Sequence, residues 1–280
     1  MKRYFLAAVL TALALSATAT RADDWSKTYS ISKRADLNVQ TDDGSVNVVA
    51  GNSNEVVAKV HTEGFTIGPN EVRIEESQAG DRVTISVKMP HNPSWSGHRT
   101  IRVLVTVPRD LDLELSTGDG SVDLQPLAGR IRVRTGDGSI HADGLHGDLT
   151  LHTGDGSIEA HNLDGALVAE SGDGSIHIGG RFDGLSVNTG DGSVDASAAA
   201  GSKMTAPWTL HSGDGSISLG VPQDLKAYVD LKTGDGSIKV DMPVTIEGKI
   251  DRSHVQGNLN GGGSELKITS GDGSIHLTKS

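Results

Sequence analysis

The sequence predicts an all-β fold: a β-solenoid of stacked β-strand repeats, about 18 residues per rung, with a less regular N-terminal β section. Three observations predict it. A tetrapeptide recurs at a fixed interval, polar and apolar residues alternate between its copies, and only nine of 280 residues are aromatic. A motif at equal spacing is typical of repeat architectures, in which each unit buries its apolar side against the next unit.

The recurring tetrapeptide is Gly-Asp-Gly-Ser. Its eight copies begin at residues 118, 136, 154, 172, 190, 213, 234 and 271, and the first four intervals are all 18 residues. The later intervals of 23, 21 and 37 residues indicate the same unit with insertions. A degenerate copy, Asp42-Asp43-Gly44-Ser45, lies near the N-terminus. Most copies follow Thr or Ser, and every full copy leads into Ile or Val.

One unit, residues 135–152, shows the pattern of a rung. Residues 139–142 alternate polar and apolar, Asp143-Gly144 interrupts them, and residues 148–152 alternate again. Alternation with a period of two, bounded by Gly and Asp, is typical of short strands joined by turns. The chain after the leader shows no 3.6-residue period with capping signals, so no helix is predicted.

Stacking places equivalent residues in columns. Taken in sequence order, one apolar column holds Val122, Ile140, Ile158, Ile176, Val194, Ile217, Ile238 and Ile275. The opposite strand supplies Ile131, Leu149, Leu167 and Leu185. An outward column is polar and holds Asp123, His141, Glu159, His177, Asp195, Ser218, Lys239 and His276. With rungs roughly 4.8 Å apart, eight rungs would form a rod on the order of 35–40 Å long.

The chain divides into three predicted segments. They are a signal peptide at 1–22, an N-terminal β section at 23–115 and the regular repeats at 116–280 in one elongated domain. The strands of the N-terminal section are expected to pair edge to edge in antiparallel fashion, where they begin the stack and cap its first rung. The signal peptide is predicted from Lys2 and Arg3, the apolar run 4–15 and two small-residue cleavage sites, at 17–19 and at 20–22. No later stretch is apolar enough for a transmembrane helix. The predicted location is therefore extracytoplasmic: periplasm, cell surface or secreted.

Composition excludes several classes of function. The chain has 25 Lys and Arg against 36 Asp and Glu, a net charge of −11. Cleavage after Ala22 removes three basic residues and no acid, which leaves 22 − 36 = −14. Nucleic-acid binding needs clustered positive charge, so it is excluded, and no basic face for anionic lipids is expected. Without Cys, the chain has no disulfide, no thiol nucleophile and no Cys-linked lipid anchor.

Three features together resemble the bacterial putative-adhesin family, a domain of unknown function found as β-strand repeats in extracytoplasmic proteins. They are the Gly-Asp-Gly-Ser-Ile copies, the lead-ins Val107-Pro108-Arg109-Asp110-Leu111 and Val221-Pro222-Gln223-Asp224-Leu225, and the glycine-rich segment 260–271. The resemblance covers residues 37–277. It implies a stacked all-β fold at the cell envelope and supplies no catalytic residues.

The turn motifs are the first candidate sites. In a structural role, Gly adopts positive φ while Asp, and more weakly Ser, hydrogen-bond nearby backbone amides. The motif residues in this role are Gly118, Asp119, Gly120, Ser121, Gly136, Asp137, Gly138, Ser139, Gly154, Asp155, Gly156, Ser157, Gly172, Asp173, Gly174, Ser175, Gly190, Asp191, Gly192 and Ser193.

A cation site is the alternative role for these turns. Stacking would bring together the carboxylates of Asp119, Asp137, Asp155, Asp173 and Asp191. Charges about 5 Å apart repel by roughly 1 kcal/mol in water, and Ca²⁺ would offset this repulsion. The Gly-Gly-x-Gly-x-Asp pattern of calcium-binding β-rolls and the EF-hand pattern are both absent. The structural role is therefore preferred, no cofactor is predicted, and Ca²⁺ stays as the alternative.

Histidines and catalytic patterns give weaker candidates. His141 and His177 flank Glu159 in one column, but about 10 Å would separate the two imidazoles, too far for one metal ion. No Gly-x-Ser-x-Gly elbow before a helix is present. A sugar-cleaving site usually has an aromatic platform, and only Trp95 and Trp208 are expected to be exposed. Neither a metal site nor catalytic residues are predicted.

The sequence therefore predicts a non-enzymatic secreted or cell-envelope β-repeat protein with an adhesin-like or scaffold role. The alternatives are a Ca²⁺-dependent structural or binding module and a polysaccharide-acting β-helix enzyme. The expected contact surfaces are the outward columns and the insertions 198–208 and 242–260. The partner is an unidentified envelope or surface component, and end-to-end self-association through open strand edges is a further expectation.

Overall fold

A computed structural model describes residues 22–89, 99–246 and 251–280. The described residues form strands and turns without a helix, so the predicted all-β class is confirmed. The predicted signal peptide lies outside them except for Ala22 and stays a prediction. The strands are β1 (Ala22–Ser30), β2 (Ala35–Thr41), β3 (Ser45–Gly51), β4 (Glu55–Glu63), β5 (Arg73–Ala79), β6 (Arg82–Lys88), β7 (Thr100–Pro108), β8 (Asp110–Thr117), β9 (Val122–Leu124), β10 (Ala128–Thr135), β11 (Ile140–Asp143), β12 (His146–Thr153), β13 (Ile158–Ser171), β14 (Ile176–Thr189), β15 (Val194–Ala198), β16 (Trp208–Ser212), β17 (Ile217–Val221), β18 (Ala227–Thr233), β19 (Ile238–Val240), β20 (Val244–Ile246), β21 (His254–Leu259), β22 (Glu265–Ser270) and β23 (Ile275–Lys279).

Most strands stack in parallel in two walls. The front wall runs β6, β2, β8, β10, β12, β13, β14, β16, β22, β18. The back wall runs β7, β3, β9, β11, β13, β14, β15, β17, β23, β19. The long strands β13 and β14 belong to both walls, with their N-terminal ends in the back wall. Each Gly-Asp-Gly-Ser turn carries the chain from front to back, which makes the fold solenoid-like.

The core lies between the walls and consists of aliphatic columns. In the front wall Ile131 pairs with Leu149, and Leu149 with Leu167. In the back wall Ile140 pairs with Ile158. All five side chains are at most 3% exposed. The two residues of each pair are 18 positions apart, so the apolar columns predicted at these positions are confirmed. Because these aliphatic columns fill the core, the fold needs few aromatic residues.

The order of the rungs departs from the sequence order at the C-terminal end. Ile275 pairs with both Ile217 and Ile238, so β22 and β23 lie between β16–β17 and β18–β19. The predicted column, with Ile275 last, is wrong at this point. The inserted position covers the apolar side chains of both final strands from two sides, whereas a terminal rung would leave one side open.

The N-terminal strands are inserted in the same way. Leu37 on β2 pairs with Val83 on β6 and with Leu113 on β8, in parallel on both sides. The antiparallel pairing expected for this section holds for β1 with β4, β4 with β7, and β5 with β6. It is wrong for β2 and β3, which form an interior rung.

Charged side chains link the two outermost strands at this end. Lys27 on β1 forms an ion pair with Glu76 on β5, and the Tyr29 hydroxyl donates to Glu76 at 3.2 Å. Burial first, and then the Glu76 charge, raises the pKa of Tyr29. Charged edge strands oppose pairing with another chain, so this end is protected against end-to-end association.

Candidate functional site

The turns stack directly on one another through backbone and hydroxyl hydrogen bonds. The amide of Gly154 donates to the carbonyl of Gly136 in the neighbouring rung at 2.6 Å. Thr153 is fully buried. Its Oγ1 donates to the Gly138 carbonyl at 2.8 Å and accepts from the Gly156 amide at 3.2 Å. One hydroxyl therefore closes its own turn and ties it to the previous one.

The same hydroxyl position is occupied in every rung with a full motif. These buried side chains form a ladder along the stack: Thr117, Thr135, Thr153, Ser171, Thr189, Ser212, Ser270 and Thr233. Buried hydroxyls that lack partners are costly, and here each one donates to a carbonyl of the neighbouring turn. The Thr or Ser that precedes each motif is the sequence signal from which this ladder could have been predicted.

The motif glycines are required by close approach rather than by positive φ. A Cβ on Gly154 would lie 2.7 Å from the carbonyl oxygen of Gly136, closer than such atoms come in proteins. None of the motif glycines in the five predicted copies has a positive φ. The expectation of positive φ is therefore wrong for them, and it holds only for Gly44 of the degenerate copy, at φ 110°.

The motif aspartates point to solvent. All five candidate residues are exposed, and their carboxylates accept no hydrogen bond from another described residue: Asp119, Asp137, Asp155, Asp173 and Asp191. The expected bonds to nearby amides are not made, because the buried hydroxyl occupies that role. Across the described part of the chain, no three His, Asp or Glu residues are arranged to hold a metal ion.

The predicted His–Glu–His column is present, but only one of its two histidines forms an ion pair with Glu159. His141 Nδ1 lies 3.5 Å from one oxygen of Glu159. The second imidazole near Glu159 is that of His161, with Nε2 at 3.3 Å from the other oxygen. His161 lies two positions further along the strand of Glu159 and is not part of the predicted column. His177 is the register partner of Glu159 in the next rung, so the predicted order of the column is confirmed, although no described ion pair joins His177 to Glu159.

Histidines also pair systematically between two adjacent rungs. Three imidazoles of β11 and β12 each lie within 4 Å of a carboxylate of β13 that is 18 positions later: His141–Glu159, His146–Asp164 and His152–Glu170. Because the partners occupy the same column, this pairing follows from the repeat. It could have been found by comparing charges at 18-residue intervals.

Trp208 is a core residue, not an exposed platform. It is 0% exposed, and its ring meets that of Phe182 edge to face at 6.3 Å between centroids. The preceding insertion folds onto β14, where the Phe182 amide donates to Ser202 Oγ at 3.0 Å. The predicted exposure of Trp208 is therefore wrong. Trp95 lies outside the described residues.

Arg181 and two aspartates form a charged cluster beside the insertion at 198–208. Arg181 forms ion pairs with Asp164 and with Asp183, the latter at 2.6 Å. Hydrogen bonds with Asp183 first, and then with Asp164, raise the pKa of Arg181, and the same guanidinium lowers the pKa of Asp183. The second predicted contact segment, 242–260, contributes β21, which pairs antiparallel with β18, and β20, which pairs antiparallel with β21. Residues 247–250 are outside the described ranges.

The sequence matches the family described as Toastrack DUF4097 over residues 15–278. The chain belongs to this family. The resemblance inferred from the Gly-Asp-Gly-Ser copies is thereby confirmed, and the inserted strands and stacked turns describe the Toastrack fold in this chain. No curated protein matches the sequence. No described helix of this Toastrack protein is long and apolar enough to cross a membrane.

Solved structures similar to this Toastrack chain share little sequence with it. A putative lipid binding protein from Parabacteroides distasonis is 14% identical with a TM-score of 0.51, over 92% of this chain and 97% of that one. A putative cell adhesion protein from Clostridium sporogenes is 13% identical, with a TM-score of 0.31 over 93% and 100%. A putative adhesin from Bacteroides fragilis is 14% identical, with a TM-score of 0.41 over 91% and 96%. At such identity the first of these shows a shared fold.

Proposed function

We propose that this Toastrack protein is a non-enzymatic secreted or cell-envelope β-repeat protein with an adhesin-like or scaffold role. One observation carries the proposal: outward polar side chains of successive rungs are held in register, as Asp123, His141 and Glu159 are in the back wall. Stacked strands fix such side chains at a repeat of roughly 4.8 Å. Repeat proteins use extended surfaces of this kind for binding.

The solvent exposure of the outward polar side chains favours a binding role over a catalytic role. The side chains of His141 and Glu159 are 49% and 54% exposed. Catalytic electrostatics depend on groups that are shielded from water, where charges interact more strongly. Side chains that remain open to solvent along a face can instead contact a partner without rearrangement of the fold.

Cell fractionation and envelope binding test this proposal. The full chain is expected in the periplasm, outer membrane or medium, and the control Leu13→Arg, which interrupts the apolar run of the leader, is expected to remain in the cytoplasm. The purified mature chain is expected to sediment saturably with isolated cell envelopes and to hydrolyse no polysaccharide of an envelope and plant panel. Cytoplasmic retention of the full chain, absence of envelope binding, or saturable hydrolysis would each overturn the proposal.

A further inference from the structure

Strand β10 carries a row of three arginines on the outer surface of the front wall. Arg130, Arg132 and Arg134 are exposed and alternate with the buried Ile131 and Val133. Alternate residues of a strand are roughly 6.6–7 Å apart on one face, so the three guanidinium groups extend over about 13 Å. We call these three residues the arginine row.

The guanidinium groups of the arginine row make no direct contact with a counter-ion in the described part of the chain. None of its guanidinium groups forms an ion pair or hydrogen bond with another described residue. No other described strand carries more than two Lys or Arg. In a chain of net charge −11, the row places three positive charges on one strand without a direct ion pair to any of them.

Carboxylates border the arginine row on both sides. Asp112 and Glu114 on β8 are the register partners of Arg130 and Arg132, and Asp148 on β12 is the second partner of Arg130. Asp112 is already engaged by another guanidinium, from the segment before β2. The positive surface is therefore only one strand wide.

A polar hollow of about 400 Å³ lies at the start of the row. Gly129 and Gly147 pair there at φ +128° and +120°, a conformation that side chains disfavour, and the Arg34 guanidinium lies over Gly129. Small-ligand sites commonly have volumes of about 300–1,000 Å³. The hollow is lined by Arg34, Asp112, Gly129, Arg130, Gly147 and Asp148.

We propose that the arginine row binds a linear acidic polysaccharide, with carboxylate or sulfate groups on its guanidiniums and one sugar in the hollow. This inference rests on the proposed function and names a ligand class for it. Arginine binds planar oxyanions through paired hydrogen bonds. A polymer with its charges in one line fits a row one strand wide. A flat anionic membrane would also bring its negative charges close to Asp112 and Asp148, which would repel them.

The test measures binding of the purified mature chain to heparin, which is sulfated, to polygalacturonate, which is carboxylated, and to uncharged dextran. The wild type is expected to bind at least one acidic glycan but not dextran, more weakly at 300 than at 50 mM salt because salt screens the contacts. The triple variant R130Q/R132Q/R134Q is expected to lose at least tenfold in affinity. The single variant R132Q, which keeps two of the three arginines, is expected to lose about threefold or more in affinity.

A matched control removes the same charge elsewhere. Lys226, Lys232 and Lys267 are exposed and lie at the other end of the front wall. The triple variant K226Q/K232Q/K267Q is expected to bind within about twofold of the wild type. Equal losses in the two triple variants, or wild-type affinity in both arginine variants, would overturn the assignment of the row.

Two further outcomes separate this inference from the proposed function. Tighter binding to vesicles containing phosphatidylglycerol than to either acidic glycan would overturn the ligand class. If the wild type sediments with cell envelopes but binds neither glycan, the arginine row proposal fails and the proposed function stands. If envelopes are not bound either, both fail.

Discussion

Leu266 of β22 is the register partner of Trp208 of β16, and both side chains are fully buried. On its other side Leu266 pairs with Val229 of β18. A strand that ends ten residues before the C-terminus therefore lies inside the stack, with hydrogen-bonded neighbours on both sides. The stability of the C-terminal end depends on this insertion.

We expect the backbone amides of β22 to exchange slowly with solvent. Terminal segments usually fray, but strands covered on both sides open only with the larger structure. Hydrogen exchange followed by mass spectrometry should show β22 protected as strongly as β12, and more strongly than the edge strand β20. Exchange of β22 as fast as that of β20 would contradict the inserted position.

Thr153→Val should destabilise the fold by about 1–3 kcal/mol, because it leaves the Gly138 carbonyl and the Gly156 amide without their buried partner. The matched control is Thr153→Ser, which keeps the hydroxyl. It should change stability much less, since Ser171 makes the same contacts in the next rung. Urea unfolding compares the two. Equal stability would show that the hydroxyl ladder contributes little.

Trp208→Ala should cost about 3–5 kcal/mol, the usual loss for a large aromatic side chain removed from a core. The indole Nε1 is buried without a hydrogen-bond partner, so Trp208→Phe should cost less, because it removes an unsatisfied donor. Trp25→Ala, at a half-buried position of β1, is the control. A loss at Trp25 as large as that at Trp208 would contradict the buried position of Trp208.

The stability contributed by His61 should depend on pH. Its hydrogen bond with Asp24, at 2.7 Å, raises the pKa of His61 above the ordinary value of 6.5. A raised pKa in the folded state stabilises the fold below the unfolded pKa, and this contribution disappears as pH rises through the folded pKa. The melting midpoints of His61→Gln and wild type should therefore differ most below about pH 6.5 and converge as the pH rises above the raised pKa of His61.

His211→Gln is the control for this pH dependence. His211 is exposed and has no carboxylate partner among the described residues. Its difference from the wild type should stay nearly constant with pH. If the difference in melting midpoint between His61→Gln and wild type grew toward alkaline pH, its sign would be opposite to the expected one. The interaction with Asp24 would then be excluded as its cause.

Asp155→Asn should leave the melting midpoint nearly unchanged, because Asp155 is exposed and the neighbouring hydroxyl carries the turn. The same reasoning predicts no shift of the wild-type midpoint with EDTA or with millimolar Ca²⁺. A rise with Ca²⁺ in the wild type that is reduced in the Asn variant would favour a cation site in the turn column.

The repeat allowed much of the fold to be predicted. Residues such as Ile140 and Ile158 occupy the same position in a repeated unit, so their pairing in one column follows from spacing and alternation alone. The faces of the strands, the turns and the outward polar column follow in the same way. The arginine row was in principle visible too, as three exposed positions of one predicted strand.

The order of the rungs could not be predicted, because parallel rungs with nearly identical faces accept one another in any order that local spacing allows. Ile275 fits equally well beside Ile217 or Ile238, and only the path of the whole chain places it between them. Likewise, the sequence places Trp208 beside a loop, whereas packing against Phe182 buries it.

The sequence by itself determined a stacked all-β protein, because period and alternation dictate which side chains point inward. The tertiary structure decided the insertion of β2 and β3 near one end of the stack and of β22 and β23 near the other. It also decided the role of Thr153 and its equivalents, and the partners of His141, Glu159 and His161. These depend on distances between rungs and on which groups water can reach. Such quantities exist only once the rungs are stacked.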